Sequence, residues 1–455
     1  MTLARNELGQ KVTARGAERS PADAADAALV ARETNLPGLA TLLAPEAFAA
    51  AFAAAVAPVT VRRPSVRYLR YKPDTSCLVL YQVELDGNDA TVYARAHRAT
   101  AHEKLAGASA QTVAASPVGP STLVLRELSV AVHLFPDDRR LRGLQHLTDP
   151  ERRRRLLKKA LPGNPELWSA DLRTLRYKPE RRFVGVLDGE EGRRAVVKVH
   201  AEQEFRRALE AARALGEDEP SAAPRAVRLP RMLGCSPRRG LVASEWLDGR
   251  SLEETLRDPD GDSGHAALAG AALAALHAQS RQGLKRYSGG DIAQRLREEV
   301  DTIAHIEPDL AGLAAEVAAH AAEEIAGAPP LECPLHGDFS ADQVLLRGNE
   351  AAIIDLDEAA YGRPAADLGS FVARLEIEAL RGRMSGKRSR EATDALLGGY
   401  RGAANHGEAT WERVRPHAAA ALLRLAPEPF RYRHPQWPRL LRETVERAQG
   451  IGADG

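Results

Sequence analysis

The chain has 455 residues, which is too long for one ordinary hydrophobic core and predicts two or three domains. Its 63 lysines and arginines and 62 aspartates and glutamates leave a formal net charge of +1, so no global charge indicates binding to nucleic acid or to a membrane. The three cysteines, Cys77, Cys235 and Cys333, lie far apart, which excludes a disulfide scaffold and a CxxC zinc site.

The first 56 residues divide into a polar start and a helical segment. Residues 1–20 are charged and predict a disordered tail rather than a secretory signal, and no apolar run is long enough to span a bilayer. We therefore expect a cytoplasmic protein. From Pro21 to Val56 the chain is rich in alanine, and its leucines and phenylalanines recur at helical spacing.

An internal repeat follows the helical segment. Residues 67–73 read RYLRYKP and residues 173–179 read RTLRYKP. In both copies an alternating segment, a polar turn and a third strand come next, with YARAH at 93–97 and VVKVH at 196–200, and two further strand-like runs close each copy. The shared string and the shared order of elements predict a duplicated α+β unit. Residues after Gly264 are mostly helical in pattern.

The strongest chemical signal is HGDFSADQ at 336–343, followed by AIIDLD at 352–357. In protein kinases a His-led loop carries the catalytic Asp, and a second Asp after an apolar strand binds the metal. The chemistry needs a carboxylate to accept the proton of the attacking hydroxyl and hard oxygen ligands to hold Mg²⁺ against the phosphates. We therefore predict Asp338 as the catalytic base and Gln343 and Asp355 as metal ligands.

Together with Asp367-Leu368-Gly369, these motifs resemble the aminoglycoside phosphotransferase and choline kinase-like family, whose usual form is HGDxxxxN…IDxxx…DL. Gln343 replaces the usual Asn, and with the extra N-terminal region this is similar to the maltokinase and glucosamine kinase branch. The resemblance implies an α+β, bilobal protein-kinase-like fold, with a β-rich N-lobe and a helical C-lobe. It also implies ATP and Mg²⁺ as cofactors and a sugar or amino sugar as the acceptor.

The same resemblance implies a nucleotide site in the second copy of the repeat. Lys198, in the strand AVVKVH, takes the place of the lysine that binds the α- and β-phosphates, and its helix partner is Glu204 or Glu202. The segment that contains Glu245 and Leu247 resembles the hinge that binds adenine. Supporting roles in the catalytic loop and metal loop are implied for three residues, namely His336, Asp357 and Asp367.

The acceptor site is predicted from weaker signals. Glu376 and Glu378 lie on the helix after Asp367 and could contact the acceptor, although a solvated helix face is an equal alternative. Tyr432, His434 and Trp437 form an aromatic cluster suited to stacking on a sugar ring, for which packing in the core is the alternative.

The predicted organisation is a tail (1–20), an N-terminal cap domain that resembles a degenerate N-lobe (21–160), the kinase N-lobe (161–250) and a helical C-lobe (251–455). In the first copy Arg95 stands in the place of Lys198, so we expect no nucleotide there. The alternative role of this domain is to stabilise the active lobe or a dimer.

The predicted function is an ATP-dependent kinase whose partner is a small hydroxyl acceptor, as a monomer or a homodimer, without nucleic acid or membrane partners. Two alternatives remain open from the sequence. One is a kinase that modifies aminoglycoside antibiotics, whose site should present several carboxylates to a polycation. The other is a pseudokinase that binds nucleotide and regulates a partner; Lys198, Asp338 and Asp355 count against it and Gln343 counts for it.

Overall fold

The computed structural model describes residues 21–101, 105, 115–116, 119–216, 227–279, 283–286, 289–327, 332–404 and 408–453. The predicted tail, residues 1–20, lies outside the described residues. The described helices are α1 (Pro21–Arg32), α2 (Leu39–Leu43), α3 (Pro45–Val56), α4 (Leu144–Thr148), α5 (Pro150–Ala160), α6 (Glu202–Gly216), α7 (Leu252–Arg257), α8 (Ala266–His277), α9 (Gly289–Ile306), α10 (Ala311–Ala326), α11 (Pro364–Leu380), α12 (Gly386–Ala403), α13 (Glu408–Glu412), α14 (Val414–Leu425), α15 (Glu428–Arg431) and α16 (Trp437–Ala453).

The described strands are β1 (Val61–Lys72), β2 (Ser76–Leu85), β3 (Asn88–His97), β4 (Ala115–Ser116), β5 (Gly119–Pro120), β6 (Thr122–Leu125), β7 (Val130–Leu134), β8 (Asp171–Lys178), β9 (Arg182–Asp188), β10 (Arg194–His200), β11 (Met232–Ser236), β12 (Leu241–Glu245), β13 (Arg250–Ser251), β14 (Lys285–Arg286), β15 (Cys333–Leu335), β16 (Val344–Arg347), β17 (Glu350–Ile353) and β18 (Ala360–Gly362). No described helix has the length and apolar character needed to cross a membrane.

Two five-stranded antiparallel sheets have the same topology. The first has the order β1-β2-β3-β7-β6 and the second has the order β8-β9-β10-β12-β11. In both sheets the first three strands are neighbours in chain order. The last strand in the chain, β7 or β12, lies between the third strand and the fourth. The shared order confirms the expected duplication of an N-lobe-like α+β unit.

The two sheets also match residue by residue. Leu78 lies opposite Arg95 in the first sheet, and Val184 lies opposite Lys198 at the same position of the second. The turn before the last strand reverses through a left-handed residue in each, at Ser129 with φ 51° and at Gly240 with φ 62°. The structure thus places Arg95 where the second copy has Lys198, as the alignment of the strands predicts.

The repeat begins earlier than the shared strand. Gly38 opens the short helix α2 and Gly143 opens the short helix α4. A Cβ on Gly38 would lie 2.7 Å from the carbonyl oxygen of Leu128, and one on Gly143 would lie 2.4 Å from that of Arg239, at the matching turn. Glycine occurs at both positions because the backbone of the turn leaves no room for a side chain.

Helices α4 and α5 pack against the second sheet. Their buried leucines, among them Leu144 and Leu157, share a core with Phe183 and Val197 of that sheet. We therefore propose that the second copy begins near Gly143, rather than at the boundary near residue 160 that the sequence pattern predicts.

The helical part follows the second sheet and forms the larger lobe. Helices α8, α11 and α12 enclose a core that contains Leu273, Phe371 and Leu396. The N-terminal copy joins a separate core with helices α9, α14 and α16, in which Leu69 and Trp437 are both buried. The bilobal α+β architecture with an additional N-terminal α+β unit is thereby confirmed.

Candidate active site

The loop that contains HGD is held by a buried carboxylate. The main-chain N–H groups of His336 and Gly337 donate to Asp367 at 2.6 and 2.9 Å. His277 bonds the same carboxylate at 3.0 Å. Burial raises the pKa of Asp367, but the hydrogen bonds from His277 and from the main chain of His336 lower it overall, so the carboxylate is ionised. Asp367 therefore fixes the backbone that leads to Asp338.

The second residue of the motif must be glycine in this fold. Gly337 has φ 87°, and a Cβ there would lie 2.1 Å from the carbonyl oxygen of Glu358. The imidazole of His336 joins the two functional loops, because its Nε2 bonds the carbonyl oxygen of Ile354 at 2.9 Å while its Nδ1 accepts from the N–H of Asp338 at 3.4 Å.

The carboxylate of Asp338 is part-buried and faces two arginines. Its Oδ1 accepts a hydrogen bond from Arg424 at 3.0 Å and lies 3.7 Å from Arg374. Burial raises the pKa of Asp338, and the two guanidinium groups lower it by more, so its pKa is below the usual range. At neutral pH this side chain is ionised and can accept a proton from a hydroxyl group.

Asp355 lies directly opposite Lys198. Strand β17 ends at Ile353, and Asp355 adopts the left-handed conformation with φ 64°. The Lys198 ammonium lies 2.5 Å from Oδ1 of Asp355 and 2.8 Å from Oδ1 of Asp357. Arg182, at the start of β9, lies 3.3 Å from Asp355 and 2.8 Å from Asp357. The two cations outweigh the effect of burial and hold the pKa of Asp355 and of Asp357 below the usual range.

Gln343 supplies an oxygen without a protein partner. Its side-chain Oε1 is buried and makes no hydrogen bond among the described residues. Its main-chain oxygen accepts a hydrogen bond from the N–H of Ile354 at 2.9 Å. Gln343 therefore lies beside the residue that precedes Asp355. A buried amide oxygen that lacks a donor, next to an ionised carboxylate, suits a hard cation such as Mg²⁺. Among the described residues there is no cluster of three or more His, Cys, Asp or Glu side chains that could hold a metal ion.

The structure does not bring the predicted helix partner to Lys198. Glu204 lies 3.9 Å from Arg181, and Glu202 bonds Arg206 at 2.7 Å on the same helix. In this conformation the loop carboxylates of Asp355 and Asp357 take the place of a helix glutamate.

The side chains of the predicted hinge are engaged within the lobe. The carboxylate of Glu245 pairs with Arg228 at 3.1 Å and with Arg231 at 3.4 Å. Leu247 is buried and packs against Leu345. Any contact with adenine there would fall to main-chain groups, as the hinge prediction supposes.

Three of the predicted acceptor residues lie away from Asp338 or point into other contacts. Glu376 pairs with Arg447 at 2.8 Å, and Trp437 is fully buried against Phe430, so neither offers a free face to a sugar. Glu378, the second glutamate of that helix, bonds Arg257 at 2.5 Å. The core position of Trp437 confirms the packing alternative for that residue.

The remaining two residues of the aromatic cluster are accessible. Nδ1 of His434 accepts from the N–H of Gln436 at 3.1 Å. Tyr432 is 37% exposed, and its ring centroid lies 5.8 Å from that of Tyr68 in the N-terminal copy. Its hydroxyl accepts from Arg176 at 2.8 Å. Of the predicted cluster, Tyr432 has the most exposed aromatic ring.

Sequence reasoning missed the arginines of the site. Arg182 follows the turn between β8 and β9 and belongs to no motif of the sequence. Arg374 stands seven residues after Asp367 and four after Ser370, so helical spacing places all three on one face, and this signal was available. Arg424 comes from a distant helix, and no local pattern indicates it.

A family model and several solved structures are similar to this chain. The model of the phosphotransferase enzyme family matches residues 180–417. No curated protein matches the chain. Among solved structures, a choline/ethanolamine kinase family protein from Mesorhizobium loti is 17% identical over 66% of this chain and 93% of its own, with a TM-score of 0.46.

Two further solved structures are similar to the chain. A choline kinase from Cryptosporidium parvum Iowa II is 10% identical and covers 67% of this chain and 96% of its own, with a TM-score of 0.49. A thermostable mutant of the aminoglycoside phosphotransferase APH(4)-Ia, in a ternary complex with ADP and hygromycin B, is 16% identical over 67% of this chain and 98% of its own, with a TM-score of 0.45.

Proposed function

The chain belongs to the phosphotransferase enzyme family, and we propose that it transfers the γ-phosphoryl group of ATP to a hydroxyl group of a small sugar-like acceptor. The fold is protein-kinase-like, and the chain is a phosphotransferase by family. The observation that carries the proposal is the pairing of two loops: the ionised Asp338 on a braced loop, and Asp355 opposite Lys198 beside the unpartnered oxygen of Gln343.

Each residue has a distinct task in this proposal. Bound Mg²⁺ would neutralise phosphate charge and orient the phosphoryl group. Asp355 and Gln343 would hold the ion through their side-chain oxygens. Lys198 and Arg182 would bind phosphate oxygens, since both are cations that already face this point of the cleft. Asp338 would accept the proton of the acceptor hydroxyl at a carboxylate oxygen.

The experiment is a comparison of the wild type with Asp338→Asn in a coupled assay of ADP release against a panel of sugars and aminoglycosides. We expect Mg·ATP affinity to stay within a few-fold and kcat to fall about 10²–10⁴-fold, because the carboxylate acts in the transition state. Turnover within a few-fold of the wild type would contradict the assignment of Asp338.

We also propose that the N-terminal copy is a cap beside the acceptor site. Its Tyr68 contacts Tyr432, and the Lys178 ammonium of β8 lies 5.6 Å from the centre of the Tyr68 ring. Tyr68 belongs to the N-terminal copy, Tyr432 to the C-lobe and Lys178 to the N-lobe. These three side chains therefore meet where the three units join.

The cap is tested by Tyr68→Ala. We expect a higher KM for the acceptor and an unchanged KM for Mg·ATP, because the ring lies beside the acceptor and not beside Lys198. A rise in the KM for Mg·ATP alone would reject the cap and favour a role in stabilising the active lobe.

A further inference from the structure

The acceptor side of the cleft is bordered by arginines. An acceptor hydroxyl must come within about 2.6–3.2 Å of Asp338 to lose its proton to that carboxylate. Arg424 and Arg374 lie 3.0 and 3.7 Å from the same carboxylate. Groups attached to the acceptor near its reacting hydroxyl therefore meet guanidinium groups.

Positive charge exceeds negative charge around this point. Arg374 and Arg381 share Glu428, at 3.0 and 3.1 Å, and burial does not prevent them from lowering the pKa of Glu428 to about 2. Arg431 pairs with Glu299 at 3.2 Å.

Arg424 also lies close to Glu299, and Lys178 lies close to Glu428. The four arginines therefore face three carboxylates, namely those of Asp338, Glu428 and Glu299. Asp342, which is exposed and bonded to Ser340 at 2.6 Å, is a fourth carboxylate, and the excess over all four comes from Lys178 once it is protonated.

Two of these cations keep donor capacity for a ligand. The Nε of Arg374 is buried and makes no hydrogen bond among the described residues. The Lys178 ammonium makes no ion pair in the described part of the chain. Burial and the nearby Arg176, Arg182 and Arg181 lower the pKa of Lys178 to about 7. An anion bound beside the ammonium group would raise this pKa again.

We propose that the acceptor carries an anionic group, a carboxylate or a phosphate, that binds Arg374, Arg424 and Lys178 beside the catalytic carboxylate. The inference rests on the proposed kinase function and specifies its substrate class: a sugar acid or a sugar phosphate. A cationic acceptor such as an aminoglycoside would place ammonium groups against guanidinium groups, and like charges at this distance repel.

The test is a calorimetric titration of the full chain at low ionic strength, without nucleotide. The probes are glucose, glucosamine, glucuronate and glucose 6-phosphate, which share one ring and differ in charge. We expect glucuronate or glucose 6-phosphate to bind at least about tenfold more tightly than glucose, and glucosamine to bind most weakly. A charge-assisted hydrogen bond is strong enough for this difference, and the stronger of the two anions identifies the group.

Three variants complete the test. Arg424→Gln and Arg374→Gln should each reduce the preference for the anion at least about tenfold. Arg439→Gln, whose side chain is 56% exposed and pairs with Glu443 on its own helix, is the matched control and should leave it unchanged. Circular dichroism of each variant establishes that it is folded.

The proposal is overturned if the four probes bind equally or none binds, if glucosamine binds most tightly, or if the preference survives both arginine variants. In turnover assays, a rise in the KM for Mg·ATP alone in Arg374→Gln would assign the arginines to the nucleotide and also reject it. The charge preference is measured without phosphoryl transfer, so its failure is distinct from a failure of the kinase function, which appears as an absence of transfer to every acceptor.

Discussion

At the scale of single residues, Asp355 has a left-handed backbone conformation and a carboxylate that is paired with two cations. Its left-handed conformation is uncommon for residues other than glycine, although aspartate adopts it more readily than most. Two cations, Lys198 and Arg182, hold its carboxylate in place. Such a residue keeps its position because the surrounding contacts fix it, and this is typical of a functional site.

The first residue-scale prediction concerns the metal. Asp355→Ala and Asp355→Asn should both abolish the Mg²⁺ dependence of ATP binding, because each removes the carboxylate. Gln343→Asn should keep ATP affinity within a few-fold, since it retains an amide oxygen. Calorimetric titrations of ATP with and without Mg²⁺ measure this. Asn tolerates the left-handed conformation, so Asp355→Asn separates charge from backbone strain.

Unchanged Mg·ATP affinity in Asp355→Asn would show that the metal is held elsewhere. Complete loss of binding in Gln343→Asn would show that the longer side chain, and not only its oxygen, is required.

The motif residues were predictable from the sequence because their chemistry and spacing are local. HGD and the following Asp identify Asp338 and Asp355, and Asp367 indeed contacts the loop. Arg374 and Arg424 were not predicted, because an arginine is a common surface residue and only the packing of helices α11 and α14 brings these two to Asp338. The contacts of these two arginines with Asp338 therefore needed the structure.

At the scale of elements, the turn between β8 and β9 joins the two copies. Glu180 in this turn is only 2% exposed and contacts Arg95 and Arg70 of the first sheet. Its main-chain N–H donates to Asp138 at 2.7 Å. The turn that precedes Arg182 is thus held by the N-terminal copy in place of the glycines that other kinases use there.

The element-scale prediction is a loss of stability on Arg95→Ala. The change leaves the buried Glu180 with one fewer cation, and breaking a buried ion pair typically costs about 3–5 kcal/mol. We expect a value near the lower end, because Arg70 remains at 3.3 Å. Urea unfolding monitored by circular dichroism measures the free energy of unfolding.

The control is Arg63→Ala, whose side chain is 83% exposed in its pair with Glu84. It should change the free energy of unfolding by less than about 1 kcal/mol. An equal effect of the two substitutions would mean that the Arg95 pair contributes nothing beyond a surface contact.

Helix boundaries were less predictable from the sequence than strands. The helical pattern after Gly264 does not show that α13 ends at Glu412 and that α14 begins at Val414. Pro416 accounts for the break, because proline lacks the N–H that a continuous helix would donate to Glu412. The pattern also does not show that α12 begins at Gly386, where Ser385 accepts a hydrogen bond from the N–H of Arg388 at 3.1 Å. Capping of this kind depends on local geometry that periodicity does not contain.

At the scale of the whole molecule, stability should depend on buried histidines. His133, His200 and His417 lie in the first sheet, the second sheet and the helical lobe, and burial lowers the pKa of each to about 4. The unfolded chain binds protons at these groups below about pH 6.5, whereas the folded chain binds them only near pH 4. Because the unfolded state takes up more protons in this window, stability falls as pH decreases from about 6.5 to about 4.

The whole-molecule prediction uses His417→Leu. We expect a shallower decrease of the free energy of unfolding between pH 6.5 and 4 than in the wild type, because one of the three groups is removed. Urea titrations at four pH values within this range measure the slope. A variant slope equal to that of the wild type would mean that His417 titrates normally in the folded chain.

The equal strand order of the two sheets has a consequence for how the chain reaches its native state. Strands β1 and β8 both end in LRYK and are each followed by a proline, and each strand lies at the same edge of its sheet. A chain that folds from the unfolded state can therefore place either strand beside either partner hairpin, and repeated units are prone to such exchanges. The duplicated unit therefore brings a competing set of strand pairings with it. Synthesis from the N-terminus favours the native pairing, because the first sheet can be completed before the second one exists.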